Sequence, residues 1–295
     1  DSILPRLSHP VGVFRYSRPW RWPFLTFRGN FLLLLISFLV FPMSSPSVKA
    51  NKGEENYLLV DDFGLSPSDS IPEGWTEYQF KKSRHATEYR VIPDATVEGN
   101  ETNALSDGYV LRAESDCGGS LIAKRFIVDL HQYPVLRWRW KVEEITDGAE
   151  GQGDDSGDFP ARIYVAVRPK EGFNPIRSVA QELARSVTGV PIPKAALNFV
   201  WSSADEPGET LFNQDAKVRN VIVVVESGDA NVGRWVDAEV NVLEYYNRFF
   251  PGGPAKTDGI GIMTDSDNTE TRVVAYYDDV RFCTGETCDP RETGG

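Results

Sequence analysis

The chain is poor in the residues that metal and thiol chemistry need, with 3 histidines, 3 cysteines and 2 methionines among 295 residues. Beyond residue 50 only His85 and His131 remain, so a three-histidine zinc site cannot form. Cys117, Cys283 and Cys288 also lack the paired short spacing of a structural zinc site. There is no Gly-x-Ser-x-Gly elbow and no Walker loop, which removes two common hydrolase and nucleotide-binding designs. Gly151-Gln-Gly153 is followed by Asp154, Asp155 and Asp158, which repel phosphate, so this segment reads as a solvated loop.

A long apolar run is missing as well. Phe31 to Phe41 is too short for a bilayer core, which needs about twenty helical residues. It fits the core of an export signal. Arg15, Arg18, Arg21 and Arg28 precede it, Pro42 breaks it, and Val48-Lys49-Ala50 offers a small-residue cleavage site. We expect cleavage after Ala50, with the natural signal starting inside the first thirty residues. An uncleaved anchor or a core helix is the alternative. The expected organisation is a presequence over 1–50, one domain over 51–288 and a disordered tail over 289–295, in a periplasmic or secreted protein whose membrane contact is limited to the export signal.

Residues 51–295 carry 25 basic and 42 acidic side chains, a net charge of −17. Bulk charge of that sign repels nucleic acid and anionic lipid, and only a local basic patch acts at short range. In an oxidising compartment Cys283 and Cys288 can close a small loop. Cys117 is left over, either a small buried hydrophobe or a reactive thiol.

Runs rich in β-branched and aromatic residues recur between Gly, Pro, Asp and Asn clusters, the pattern of an all-β sandwich. Strands are expected at 57–62, 76–81, 88–93, 109–114, 120–129, 135–142, 161–168, 197–202, 218–226, 259–264 and 273–282. They suit two packed antiparallel sheets, jelly-roll-like, because helical stretches are too few for βαβ crossovers. Two helices are expected, at Pro175–Thr188 and Asp237–Phe250. The Gly- and acid-rich stretch from Thr146 to Phe159 reads as an exposed loop.

Three constellations could carry function. In Val135-Leu-Arg-Trp-Arg-Trp-Lys-Val142, alternation puts Leu136, Trp138, Trp140 and Val142 on one face and Arg137, Arg139 and Lys141 on the other. The next strand repeats this, with Arg162, Tyr164 and Arg168 on its polar face. If the strands pair, a basic surface results, suited to carboxylates or sulfates on a glycan. Otherwise the arginines pair with Asp and Glu on an outer sheet face. Asn198, Trp201, Trp75 and Trp235 are further candidates for a sugar-binding groove, while Trp138, Trp140 and Phe199 read as core.

Acidic clusters form the second constellation. Asp265, Asp267 and Asn268 resemble the start of a calcium loop without its Gly and distal Glu, and a turn is the alternative. Asp62 and Asp279 can share a structural calcium only if the first and last strands meet. The third is His85, which with Tyr164 or Tyr277 and with Arg162 could serve as base and acid in uronate elimination.

Taken in order, Val60-Asp-Asp-Phe63, Gly74-Trp75, Tyr133-Pro-Val-Leu-Arg-Trp-Arg-Trp140, Asp158-Phe-Pro-Ala-Arg-Ile-Tyr-Val165, Leu197-Asn-Phe-Val-Trp201, Ile262-Met-Thr-Asp-Ser-Asp-Asn-Thr269 and Ala275-Tyr-Tyr-Asp-Asp-Val-Arg-Phe282 resemble the bacterial family catalogued as domain of unknown function 3047. The likeness runs from about Leu58 to Phe282 and implies no activity. More loosely, the Asp-Phe opening and the closing Tyr-Tyr-Asp-Asp-Val-Arg strand are similar to the ends of jelly-roll carbohydrate-binding modules, some of which hold a calcium there. The expectation is non-catalytic binding of a glycan or envelope polysaccharide. The alternatives are a polysaccharide lyase and an envelope structural or assembly protein.

Overall fold

Period-two alternation of apolar side chains shapes nearly every strand of the computed structural model, which describes residues 56–64, 70–80, 83–94, 108–145, 158–170, 195–212 and 219–285. In chain order the strands are β1 (Tyr57–Asp61), β2 (Thr76–Gln79), β3 (Glu88–Pro93), β4 (Tyr109–Asp116), β5 (Gly119–Lys124), β6 (Val135–Val142) and β7 (Ala161–Val167). They continue as β8 (Ala195–Ser202), β9 (Thr210–Phe212), β10 (Arg219–Ser227), β11 (Val236–Asn241), β12 (Thr257–Asp265) and β13 (Arg272–Cys283), with helix α1 (Val242–Phe249) after β11.

Two sheets form the sandwich. The first runs β11-β6-β13-β4-β3, with β1 also on β13, and the second runs β2-β5-β12-β7-β8-β10-β9. Every pairing is antiparallel except β8 with β10, which is parallel. That exception departs from the expected all-antiparallel sheets. Its cause is local: β9 pairs antiparallel with the far side of β10, so β10 comes back beside β8 in the direction of β8.

The core lies between the sheets. From β6, Leu136, Trp138, Trp140 and Val142 point inward, and from β8 come Leu197, Phe199 and Trp201. Trp138 meets Trp140 edge-on at 5.1 Å, Trp140 lies 5.9 Å from Trp201, and Trp138 lies 6.1 Å from Phe199. Aromatic pairs of this kind add about 0.5–1.5 kcal/mol each beyond area burial.

Hydroxyls stitch one end of the sandwich. Tyr89 on β3 donates to the Ser120 carbonyl across the gap at 2.6 Å. Thr87 donates to the Thr264 carbonyl at 2.7 Å, and Ser120 donates through its own hydroxyl to Glu77. Tyr277 on β13 lies 2.8 Å from the Thr264 hydroxyl and 2.9 Å from the Met263 carbonyl, and it accepts the Arg162 backbone N–H at 3.2 Å.

The expected helix over Asp237–Phe250 is half strand. Ala238 and Val240 alternate inward against β6, so 236–241 pairs as β11, and the Asn241 side chain then caps α1 by accepting from the Glu244 N–H. The Pro175–Thr188 helix lies outside the described residues, as do residues 146–157. Asp158 and Phe159, expected in an exposed loop, are buried. Among the described residues, no helix is long and apolar enough to cross a membrane.

Candidate functional site

The polar face of β6 is closed by its own counter-ions. Arg139 is 3 % exposed. It reaches Asp278 at 2.6 and 3.0 Å, Asp94 at 3.1 Å and Asp279 at 3.7 Å, and the Trp235 ring covers its guanidinium at 4.2 Å. Burial and the neighbouring Asp279 push the Asp278 carboxyl well above the usual range, against the pull of Arg139. Arg137 pairs with Glu239, and Lys141 lies over the Tyr276 ring at 5.8 Å. The merged basic surface does not exist, because β6 belongs to the first sheet and β7 to the second. Their polar faces lie on opposite outer sides of the sandwich.

On the outer face of the second sheet, three expected ligand residues do come together. Tyr164 on β7 sits directly across from Asn198 on β8, and Arg162 lies one step along the same face. Arg162 donates to the Tyr164 hydroxyl at 3.3 Å. Among the described residues, the Tyr164 hydrogen has only the Met263 sulfur, at 3.7 Å, as acceptor. Asn198 is fully buried; its amide is a side-chain hydrogen-bond partner of the Tyr164 phenol and lowers that phenol's pKa, and neither polar end has another partner among the described residues. Trp201 is not part of this row. It points into the core and donates to the Gly228 carbonyl at 3.1 Å. Trp75 is buried too, bonded to Asp61 at 2.8 Å, and Trp235 is half-buried over Arg139.

At one end of the row lies the acidic cluster. Arg162 holds Asp265 at 2.5 Å, and Asp158 joins Asp265 and Asp267, one oxygen of each lying within 4.8 Å of the others. Asp158 was not foreseen. It accepts from the Asn268 N–H and side-chain amide at 3.0 Å each, and from the Thr269 N–H and hydroxyl at 2.6 and 2.7 Å. Asn268 therefore turns its amide nitrogen to the cluster. These bonds explain Asp158 as the anchor of the 266–269 turn. The first and last strands do meet, with Asp61 opposite Val280, but Asp279 faces Arg139 and Asp62 accepts the Gly64 N–H. Among the described residues, those two belong to no group of three side chains placed to hold a metal ion.

The two shifts across the Arg162–Asp265 pair pull in opposite senses. Burial lowers the Arg162 pKa, but Asp265 and Tyr164 more than reverse it, so the guanidinium stays charged. Burial, then Asp158, push Asp265 up to about 7 despite Arg162. The burial of the carboxylate beside a second one decides the balance, so Asp265 binds a proton as the pH falls below neutrality. A folded pKa above the ordinary one means stability that is full below about pH 4 and is lost as the pH rises toward 7. The stability difference between D265N and the parent should therefore move in favour of the variant between about pH 4.5 and 7.5. Urea midpoints at the two pH values check this, and a pH-independent difference would contradict it.

The proposed elimination residues differ in accessibility. The His85 ring is exposed and makes no hydrogen bond among the described residues, while the loop around it is held through its carbonyl, which accepts from Ser83 and Gly119. Tyr277 lies inside the sandwich, and burial raises its pKa far above the normal range. Cys117 is half-buried in the tight turn between β4 and β5 at φ 51 and is free. Cys283 is disulfide-bonded, and Cys288, its expected partner, lies outside the described residues.

No curated protein matches the sequence. Among solved structures, the chain is similar to the family 11 carbohydrate-binding module of a Clostridium thermocellum cellulosomal cellulase at 8 % identity and TM-score 0.36, covering 78 % of this chain and 95 % of that one. The family 30 module of a second Clostridium thermocellum cellulase gives 13 % identity and TM-score 0.35, over 78 % and 99 %. The xyloglucanase domain of the Sinorhizobium fredii effector NopAA gives 8 % identity and TM-score 0.34, over 73 % and 100 %. At the level of sequence, residues 73–281 match the model of the family described as Protein of unknown function (DUF3047), and the chain belongs to that family.

Proposed function

We propose that the protein binds a carbohydrate, without chemistry, on the outer face of its second sheet, at the row Arg162, Tyr164 and Asn198. One observation carries the reading. Asn198 is a fully buried amide whose one partner among the described residues is the Tyr164 phenol, leaving its oxygen orphaned, and that phenol's hydrogen has only a thioether acceptor among them. An orphaned buried polar group costs about 1–3 kcal/mol, and a ligand that pairs it recovers that cost on binding. The half-buried Tyr164 ring adds an apolar surface of the kind on which sugar rings stack. The full burial of Tyr277 inside the sandwich, away from the exposed His85 ring, supports binding over elimination. Export through the segment 31–41, which is also part of the proposal, would bring extracellular or envelope polysaccharide within reach.

Asn198→Leu tests this directly. Replacing this buried amide, whose oxygen is orphaned, by an apolar group of similar volume should stabilise the free protein by about 1 kcal/mol and abolish glycan binding. Chemical denaturation and a glycan array read the two effects. A variant that is less stable and still binds would sink the proposal.

A further inference from the structure

Resting on the reading that this row binds a glycan, we infer that its ligand is an uncharged, hydroxyl-bearing chain and not a uronate or sulfated one. The sole cation in the row is already committed. Arg162 places Nη2 2.5 Å from Asp265 and turns Nη1 to the Tyr164 hydroxyl at 3.3 Å. Three carboxylates stand against it, since Asp158, Asp265 and Asp267 each bring an oxygen within 4.8 Å of the others. The local balance is negative, and so is the whole chain, at −12. An arriving carboxylate or sulfate would meet repulsion from the cluster and find no guanidinium free of a partner in the row.

Donor and acceptor counts agree. The Tyr164 oxygen accepts from Arg162, so what it offers a ligand is its O–H, which now faces only the Met263 sulfur at 3.7 Å. Asn198 offers its acceptor oxygen and the N–H not turned to the phenol. A sugar hydroxyl both donates and accepts, so neighbouring hydroxyls can satisfy the phenol and both ends of the amide. A carboxylate or sulfate group standing in place of the hydroxyl at that spot only accepts, and would leave the Asn198 oxygen buried and unpaired, a standing penalty in the complex.

The test uses ligands that differ in charge alone. Polygalacturonate and its fully methyl-esterified form are titrated calorimetrically into the purified protein, together with neutral β-glucan and xylan and with alginate. Neutral ligands are expected to bind at least about tenfold more tightly than any acidic one. Their affinity should not change between about 20 and 500 mM NaCl, whereas residual acidic binding should strengthen as salt screens the cluster. Asp267→Asn should narrow the neutral-to-acidic ratio severalfold. Equal or tighter binding of an acidic polymer, weakened by Tyr164→Phe and Asn198→Leu, would overturn the neutral preference and leave the glycan site standing. Binding of no ligand would overturn both.

Discussion

Replacing Arg139 by Met is expected to cost about 3–5 kcal/mol of folding stability at neutral pH, enough to unfold most of a marginally stable domain. The guanidinium serves three buried carboxylates at once, Asp278, Asp94 and Asp279, within 2.6 to 3.7 Å. The net worth of such a cluster against a hydrophobic replacement of all its members is small, because desolvation of each charge opposes their attraction. Removing the cation alone is a different matter, since it leaves uncompensated negative charge in a medium that solvates it poorly.

The pH dependence separates this account from a simple packing loss. Burial and Asp279 already hold the Asp278 pKa above its ordinary value while Arg139 pulls it down. Without Arg139 it rises further, and a raised carboxyl contributes stability that is full below its unfolded pKa and lost as pH climbs through the folded one. The Arg139→Met deficit should shrink on going from pH 8 to pH 5, measured as the difference in urea midpoint. Arg139→Lys keeps the charge but not the planar fork and should fall between the two. A deficit under about 1 kcal/mol at pH 8 would show that the carboxylates are already protonated in the native protein.

Gly118→Ala is expected to be the most disruptive exchange that adds a single methyl group to the turn before β5, at about 2–3 kcal/mol. A Cβ there would stand 2.5 Å from the His85 carbonyl oxygen and 2.9 Å from its carbon, and both are backbone atoms that cannot swing away. Moving them breaks the Gly119 N–H bond to that oxygen at 2.9 Å and loosens the neighbouring Thr87–Ser120 exchange. The segment 83–87 should then lose amide-exchange protection before the rest of the sandwich does. Uniform loss of protection across all strands would argue against a local cause.

The strands were legible because the chain writes its faces at period two. In β6 the alternation of tryptophan and cation is enough to send Trp138 and Trp140 inward. The same alternation says nothing about which strand is the neighbour. Hence β6 and β7, adjacent in sequence, look like partners although they lie in different sheets. Segment 236–250 misleads for a related reason. Val240, Leu243 and Phe250 satisfy a helical stripe, while Ala238 and Val240 also satisfy a strand, and only pairing with β6 decides between them. Of the candidate site, Arg162, Tyr164 and Asn198 were legible as polar residues on strands. That they share a row depends on the β7–β8 register. Asp158 was illegible because its role comes from the Asn268–Thr269 backbone, far along the chain.

The pairing of β1 with β13 has a mechanical consequence. Tyr57 lies opposite Cys283 in an antiparallel ladder, so the start of the first strand and the end of the last lie side by side at one end of the sheet. Tension applied between them would load the backbone hydrogen bonds one after another, as in unzipping, and not all together as in shear. A domain strung between two neighbours in this way should yield at low force from its own ends, with β1 peeling off first and the remaining strands of the sandwich still paired.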